Sequence, residues 1–137
     1  FTGSGWEILP ITESDNNYDM GSLYIDAKGE WRLIGPTATG PQPYNTGGEM
    51  VLWISKDQGK TWKSKLMTAG SERNHSYARG PVNVHPDFFA FWADGHGREK
   101  SFSQLYFSDR KGKVFLLPTA MDSDFAKPVQ IKPKSRK

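Results

Sequence analysis

The chain contains no cysteine. That excludes a disulfide framework, a thiolate nucleophile and a cysteine metal site. No run approaches the roughly 18 apolar residues of a membrane-spanning helix, and the mean hydropathy is −0.66. No glycine-rich loop leads from a strand into a helix, so nucleotide binding has no support. The pair Gly95 and Gly97 stands alone and is too short a signal. No serine sits in a nucleophile-elbow context, which argues against a serine triad. A signal segment is missing too, but the chain begins at Phe1 rather than Met, so a processed or truncated start is expected and the absence excludes little.

A basic body is also lacking. The net charge of +3 suggests nucleic acid at first sight. Yet Lys127, Lys132, Lys134, Arg136 and Lys137 fall in the last 11 residues, which hold no acid. The other 126 residues carry 13 basic and 15 acidic groups. The excess belongs to a tail, so neither nucleic acid nor a membrane is an expected partner.

Helix-periodic runs are scarce. What the sequence has instead is 14 Gly, 9 Pro, 5 Trp, 5 Tyr and 8 Phe over 137 residues, the composition of short strands punctuated by turns in one small domain. It also repeats. "LWISKDQGKTW" at residues 52–62 aligns with "LYFSDRKGKVF" at residues 105–115, an offset of 53. Leu52 matches Leu105, Trp53 matches Tyr106, Ser55 matches Ser108, Gly59 matches Gly112 and Trp62 matches Phe115. Two strand-like runs precede each copy. In the first they are "MGSLYIDA" and "EWRLIGPT", joined at Lys28 and Gly29; in the second, "RGPVNVH" and "FFAFWAD", joined at Pro86 and Asp87. A fourth strand follows each glycine turn. Repeated four-stranded antiparallel units predict an all-β protein built of β-propeller blades.

Within "SKDQGKTW" every residue has a structural task. Asp57 is placed to accept backbone N–H groups of the turn. Gly59 supplies a positive φ, and Trp62 buries a large ring at the start of the next strand. Ser55 and Thr61 complete the pattern.

That pattern resembles the Asp box, S-x-D-x-G-x-T-W, of sialidase-like propellers, also called the BNR repeat. Residues 108–115 look like a degenerate copy, with Arg110 where the box aspartate would stand. The longer stretches "PQPYNTGGEMVLWISKDQGKTW", "RNHSYARGPVNVHPDFFAFWADGHG" and "LYFSDRKGKVFLLP" resemble the BNR-4 group of carbohydrate-active proteins. The resemblance implies a secreted or periplasmic protein and a ring of about six or seven blades. Relatives of that architecture include sialidases, ulvan-type lyases and a rhamnosidase-like class. Two blades with flanking strands leave the ring incomplete. The expected division is an outer strand of a preceding blade at residues 1–12, a blade at 13–70, a second blade at 71–120, and a basic tail or the start of a further element at 121–137. The remaining blades of the same propeller would be its partners.

Antiparallel strands send alternate connections to opposite faces of a blade. The face away from the Asp-box turns collects the long polar loops at residues 13–18, 37–48, 71–79 and 93–100, where sites usually sit. "NHSYAR" is the strongest chemical candidate there. His75 can exchange a proton near neutral pH, Tyr77 can donate one, and Arg79 can grip a carboxylate. In an extended segment these three share a side, which predicts a catalytic set of His75, Tyr77 and Arg79. The bland alternative is packing within the blade. Substrate contacts are expected from Tyr18, Asp19, Tyr44, Asn45, Asn74, Asp94, His96 and Arg98, with tyrosine rings stacking on sugar and polar groups bonding hydroxyls or carboxylates. No cofactor is expected. The variant reading is a metal held by His75, His96 and Asp94.

These readings predict a polysaccharide or glycan partner and glycosidic bond cleavage. A lyase would use His75 and Tyr77 as base and acid beside an arginine. A hydrolase would need carboxylates, and no complete sialidase set is visible. The alternatives are a non-catalytic carbohydrate-binding propeller and a structural fragment.

Overall fold

The computed structural model describes residues 3–13, 21–43 and 47–134. Among them it contains nine β-strands and no helix. The strands are β1 (Ser22–Ile25), β2 (Trp31–Thr39), β3 (Gly48–Ser55), β4 (Lys63–Leu66), β5 (His75–Arg79), β6 (Ala90–Asp94), β7 (Leu105–Ser108), β8 (Val114–Leu116) and β9 (Val129–Ile131). They form one antiparallel sheet that is not closed. Its path runs β1, β2, β3, β5, β6, β7, β8, β9, with β4 paired to β3 beside that path.

The sheet divides naturally into two four-stranded meanders, β1–β4 and β5–β8. Among the described residues a single ladder pair, Gly48 with His75, joins their strands. Glycine is required at that seam. A Cβ on Gly47 would strike the backbone of His75, and one on Gly48 would strike the carbonyl of Ala38. Gly47 and Gly48 therefore sit where neighbouring backbones approach too closely for a side chain.

Alternation sets which residues face inward. In the first meander Ile34 pairs with Leu52, and both are fully buried. In the second, Trp92 pairs with Tyr106 and Ser108 with Val114. These two faces meet, and the core contains Ile34, Met50, Leu52, Met67, Ala78, Phe89, Ala90, Trp92, Tyr106 and Val114. Pairing across the seam is thin, so this apolar contact does most to hold the meanders together.

Two expectations need correction. The first strand of the second meander is not "RGPVNVH" but His75–Arg79. Gly80 and Pro81 end it, Val82 is exposed, and the later run contributes only an isolated bridge between His85 and Phe88. The outer strand expected at residues 1–12 does not form within residues 3–12; Trp6 and Ile8 are exposed there, and Pro10 has no N–H to give to a ladder. Within residues 121–137, expected as a basic tail or the start of a further element, Val129–Ile131 adds β9 to the edge of β8. The propeller expectation stands at the coarser level of an all-β, open antiparallel sheet.

Candidate functional site

The seam brings the N-terminus of β3, the start of β5 and the end of β6 to one end of the molecule. His75 begins β5 and is 1% exposed. Both its ring nitrogens are engaged. The Trp92 indole N–H donates to Nδ1 at 3.0 Å, and Nε2 lies 3.0 Å from Ser71 Oγ. An indole N–H can only donate, so Nδ1 carries no proton and Nε2 does. The direction continues outward: Ser71 Oγ donates to Glu49 Oε2 at 2.8 Å, and Ser71 N donates to Glu49 Oε1 at 2.9 Å. Thr68 also donates to this buried carboxylate. Burial pushes the His75 pKa down, Glu49 and Asp94 oppose that, and Arg73 adds to it. The result is a neutral imidazole at the centre of a satisfied buried chain.

Asp94, opposite His75 in the β5–β6 ladder, is equally committed. Its Oδ1 accepts Gln104 N at 2.7 Å. Its Oδ2 accepts the Tyr106 hydroxyl at 2.9 Å and Arg73 Nε at 3.2 Å. Burial first, then Asp94, push the Tyr106 phenol up, so it remains a donor. Arg73 also reaches Gln104 and lies over the Phe102 ring at 5.2 Å. Asn74 staples loops: its side chain exchanges bonds with Gln42 backbone groups, while its own N–H meets Gln42 Oε1.

The expected common side for His75, Tyr77 and Arg79 is not found. Tyr77 has φ +53°, and the register of β5 against β6 shifts between Ser76 and Arg79. This bulge inserts one residue and breaks the period of two. His75 and Ala78 are buried, while Tyr77 and Arg79 are exposed. Arg79 lies over the Tyr77 ring at 5.6 Å.

Two clefts flank the β5–β6 pair. One, of about 260 Å³, is lined by residues that include Ser71, Arg73, His75, Asp94, Tyr106 and Lys134. The other, of about 410 Å³, is lined by residues that include Tyr77, His96, Glu99, Ser101 and Ser103. In the second, His96 Nδ1 accepts the backbone N–H of Arg98 at 3.2 Å and of Glu99 at 3.0 Å. Nε2 is therefore its protonated nitrogen when the ring is neutral. Arg98 is exposed on the same loop.

Tyr18, Asp19, Tyr44 and Asn45 lie outside the described residues. Among the described residues no group of three or more His, Asp or Glu side chains converges as metal ligands would. The suggested trio is split: His75 and Asp94 are committed inward, whereas His96 Nδ1 holds its own loop. Glu49, Ser71, Trp92 and Tyr106 were not singled out from sequence. Glu49 gave a signal, a lone charge inside the apolar run "GGEMVLW". The others gave none.

At the opposite end, Asp57 organises the 55–62 turn. It accepts Ser55 Oγ at 2.8 Å, Thr61 N at 2.9 Å and Thr61 Oγ1 at 2.6 Å. Gly59 has φ +86° and donates its N–H to Ser55 Oγ. Trp62 Nε1 donates to Gly59 O. Hydrogen bonds from Thr61 and then Ser55 lower the Asp57 pKa to about 2. None of these groups is left for chemistry.

No match was found for this chain among protein-family models, curated proteins or solved structures. No helix among the described residues is long and apolar enough to cross a membrane.

Proposed function

We propose that the chain is part of a secreted, carbohydrate-active β-propeller that binds acidic polysaccharide or glycan beside Tyr77 and cleaves its glycosidic bond. In this reading the two meanders are blades, and the secreted location follows from the resemblance of the Asp-box sequence. The observation that carries the proposal is the 410 Å³ cleft. It sets an exposed aromatic ring on a positive-φ bulge beside a histidine, a carboxylate and serine hydroxyls. A pyranose needs that combination: a flat apolar face to stack on and polar groups for its hydroxyls. Backbone strain of this kind is found preferentially at functional sites.

Elimination fits the residues best. A base removes the proton beside a uronate carboxylate, the glycosidic bond breaks, and the departing oxygen takes a proton. Tyr77 and His96, which line the cleft, serve as the proton carriers, and Arg98 on the His96 loop supplies positive charge for the carboxylate. His75 then acts as a positioning residue, because both its nitrogens are occupied. A second reading, binding without cleavage, is favoured by the state of Asp94. Its carboxylate is taken up by Gln104, Tyr106 and Arg73, so hydrolysis by a carboxylate pair has little material.

The test is incubation of the full chain with uronate-containing polysaccharides and sialosides. Reducing ends, ultraviolet absorbance of unsaturated product, and NMR shifts of bound glycan are followed together. Tyr77→Phe should abolish cleavage and keep binding, while Tyr77→Ala should lose both. Binding without product selects the second reading. Absence of binding to every acidic glycan overturns the proposal.

A further inference from the structure

The two meanders meet through unlike faces. Side-chain alternation places Leu52 and Ile54 of β3 on one face of the first meander, with Trp53 and Ser55 on the other. The Leu52 face is the one turned to the second meander. Leu52 and Ile34 share the core with Trp92, Tyr106 and Val114, and Ile54 packs against it. Tyr24, on the same face, meets Phe89 edge to face at 5.3 Å. The second meander buries its Trp92–Tyr106 face in this contact.

The 53-residue offset shows what remains. Leu52 corresponds to Leu105, Ile54 to Phe107, and Trp53 to Tyr106. The face that the first meander buries is thus the face that the second leaves open. On it Phe91, Phe107 and Phe115 lie in one cross-strand row. Phe107 stacks on Phe115 at 5.0 Å, and Phe88 joins Phe107 at 5.1 Å. Leu105 is 55% exposed and Phe91 41%. Conversely, the face that the second meander buries is only partly covered on the first, where Val51 and Ser55 are buried but Leu33 and Trp53 are half-buried. There Leu23 is 49% and Ile25 50% exposed, and Leu23, Leu33 and Trp53 form one row. The chain therefore presents both halves of an interface that it also makes once internally.

We propose that the phenylalanine face of one copy docks onto the Leu23–Trp53 face of a second copy, repeating between chains the contact already made between the meanders. This is a head-to-tail interface, in which two different patches meet. A row of exposed and half-buried aromatic rings, with no strand of the described residues laid over it, is the kind of patch that marks an interaction surface. The occupant is set by continuity with the internal interface: the unlike face that covers Leu52 is the equivalent of the one carrying Trp53. The proposal does not rest on the glycan reading.

Analytical ultracentrifugation of the full chain over a range of concentrations tests it. Mass should rise above the 15.4 kDa of one chain as concentration increases. Phe91→Asp, or Leu105→Glu as a second variant on that face, should return it to one chain. So should Leu23→Asp, or Ile25→Asp on the other face. All four positions are well exposed, and circular dichroism verifies that each variant folds. The deciding experiment mixes Phe91→Asp with Leu23→Asp. Each supplies the face the other has lost, so the mixture should form a pair of chains and nothing larger. A single-chain mass at every concentration overturns the proposal. So does pairing of Leu23→Asp alone, which would mean that like faces meet.

Discussion

The turns at residues 55–62 and 108–115 occupy equivalent places in the two meanders, yet they are built differently. In the first, Asp57 stands two residues after Ser55 and takes bonds from Ser55 and Thr61. In the second, Arg110 stands in that position, and the organising carboxylate is Asp109, one residue earlier. Asp109 Oδ1 accepts Lys111 N and Lys113 N, each at 2.8 Å. The same arrangement closes β1 to β2, where Asp26 Oδ1 accepts Lys28 N and Glu30 N, each at 2.9 Å. "DRKGK" is thus a copy of "DAKGE" in geometry, and both turns end on a positive-φ glycine. With the turn closed by Asp109, Arg110 is free to reach across the seam. It pairs with Asp26 and Glu30, and its carbonyl accepts Arg32 Nη1 at 3.2 Å. One turn spends its charge on itself; the other clamps two meanders together.

Reversing Arg110 would break this contrast most severely. Arg110→Asp restores the box residue but removes the clamp and sets a third carboxylate beside Asp26 and Glu30. The pair is only partly exposed, so the loss should exceed that of a surface ion pair. A fall in Tm of roughly 5–10 °C is expected. Differential scanning calorimetry against Lys111→Asp, which changes charge equally without touching the clamp, isolates the effect.

A smaller contrast lies in the two serines. Ser55 Oγ donates to Asp57 and accepts the buried N–H of Gly59. Ser108 Oγ is buried without a partner, because no carboxylate stands at position 110 to receive it. Ser55→Ala should cost about 1–3 kcal/mol by stranding a buried N–H. Ser108→Ala should be neutral or stabilise by up to about 1 kcal/mol, since it removes an unsatisfied group. Chemical denaturation of the two variants reads the difference directly. A comparable loss in both would mean that the turns are energetically alike despite their bonding.

What the sequence revealed follows the range of the interactions involved. The 55–62 turn was legible because its partners lie within four residues of Asp57. The third and fourth strands of each meander were legible through the repeat. The first strand of the second meander was misplaced because Val82 and Val84 alternate like a strand, whereas the ladder needs residues that end before Gly80 and Pro81. The inward turn of His75 was hidden for a similar reason. The bulge that separates it from Tyr77 carries neither glycine nor proline to announce it, and Trp92, which bonds one ring nitrogen, and Glu49, reached through Ser71 from the other, lie far along the chain. The register of two strands decided it, and register is a tertiary property.

The smallest effect is one of pH, and it tests the internal half of the comparison. The folded pKa of Asp57 is depressed to about 2 from an ordinary 3.8. A carboxylate depressed in this way contributes stability above the unfolded value and loses it as pH falls through the folded one. The Tm difference between wild type and Asp57→Asn should therefore hold from neutral pH to about 4, then shrink toward pH 2. Asp57 is half-exposed in a surface turn, so solvent weakens the effect, and a shift of only a few degrees is expected. The Arg110 clamp loses charge on the acid side too, as pH falls through the Asp26 pKa, which the hydrogen bond from the Glu30 backbone N–H holds below the ordinary value. The two contributions separate in the double variant Asp57→Asn with Arg110→Ala. If the turns act independently, the pH dependence of the double variant equals the sum of the single ones. A smaller combined loss would mean that the internally satisfied turn and the clamping turn report on one cooperative end of the sheet.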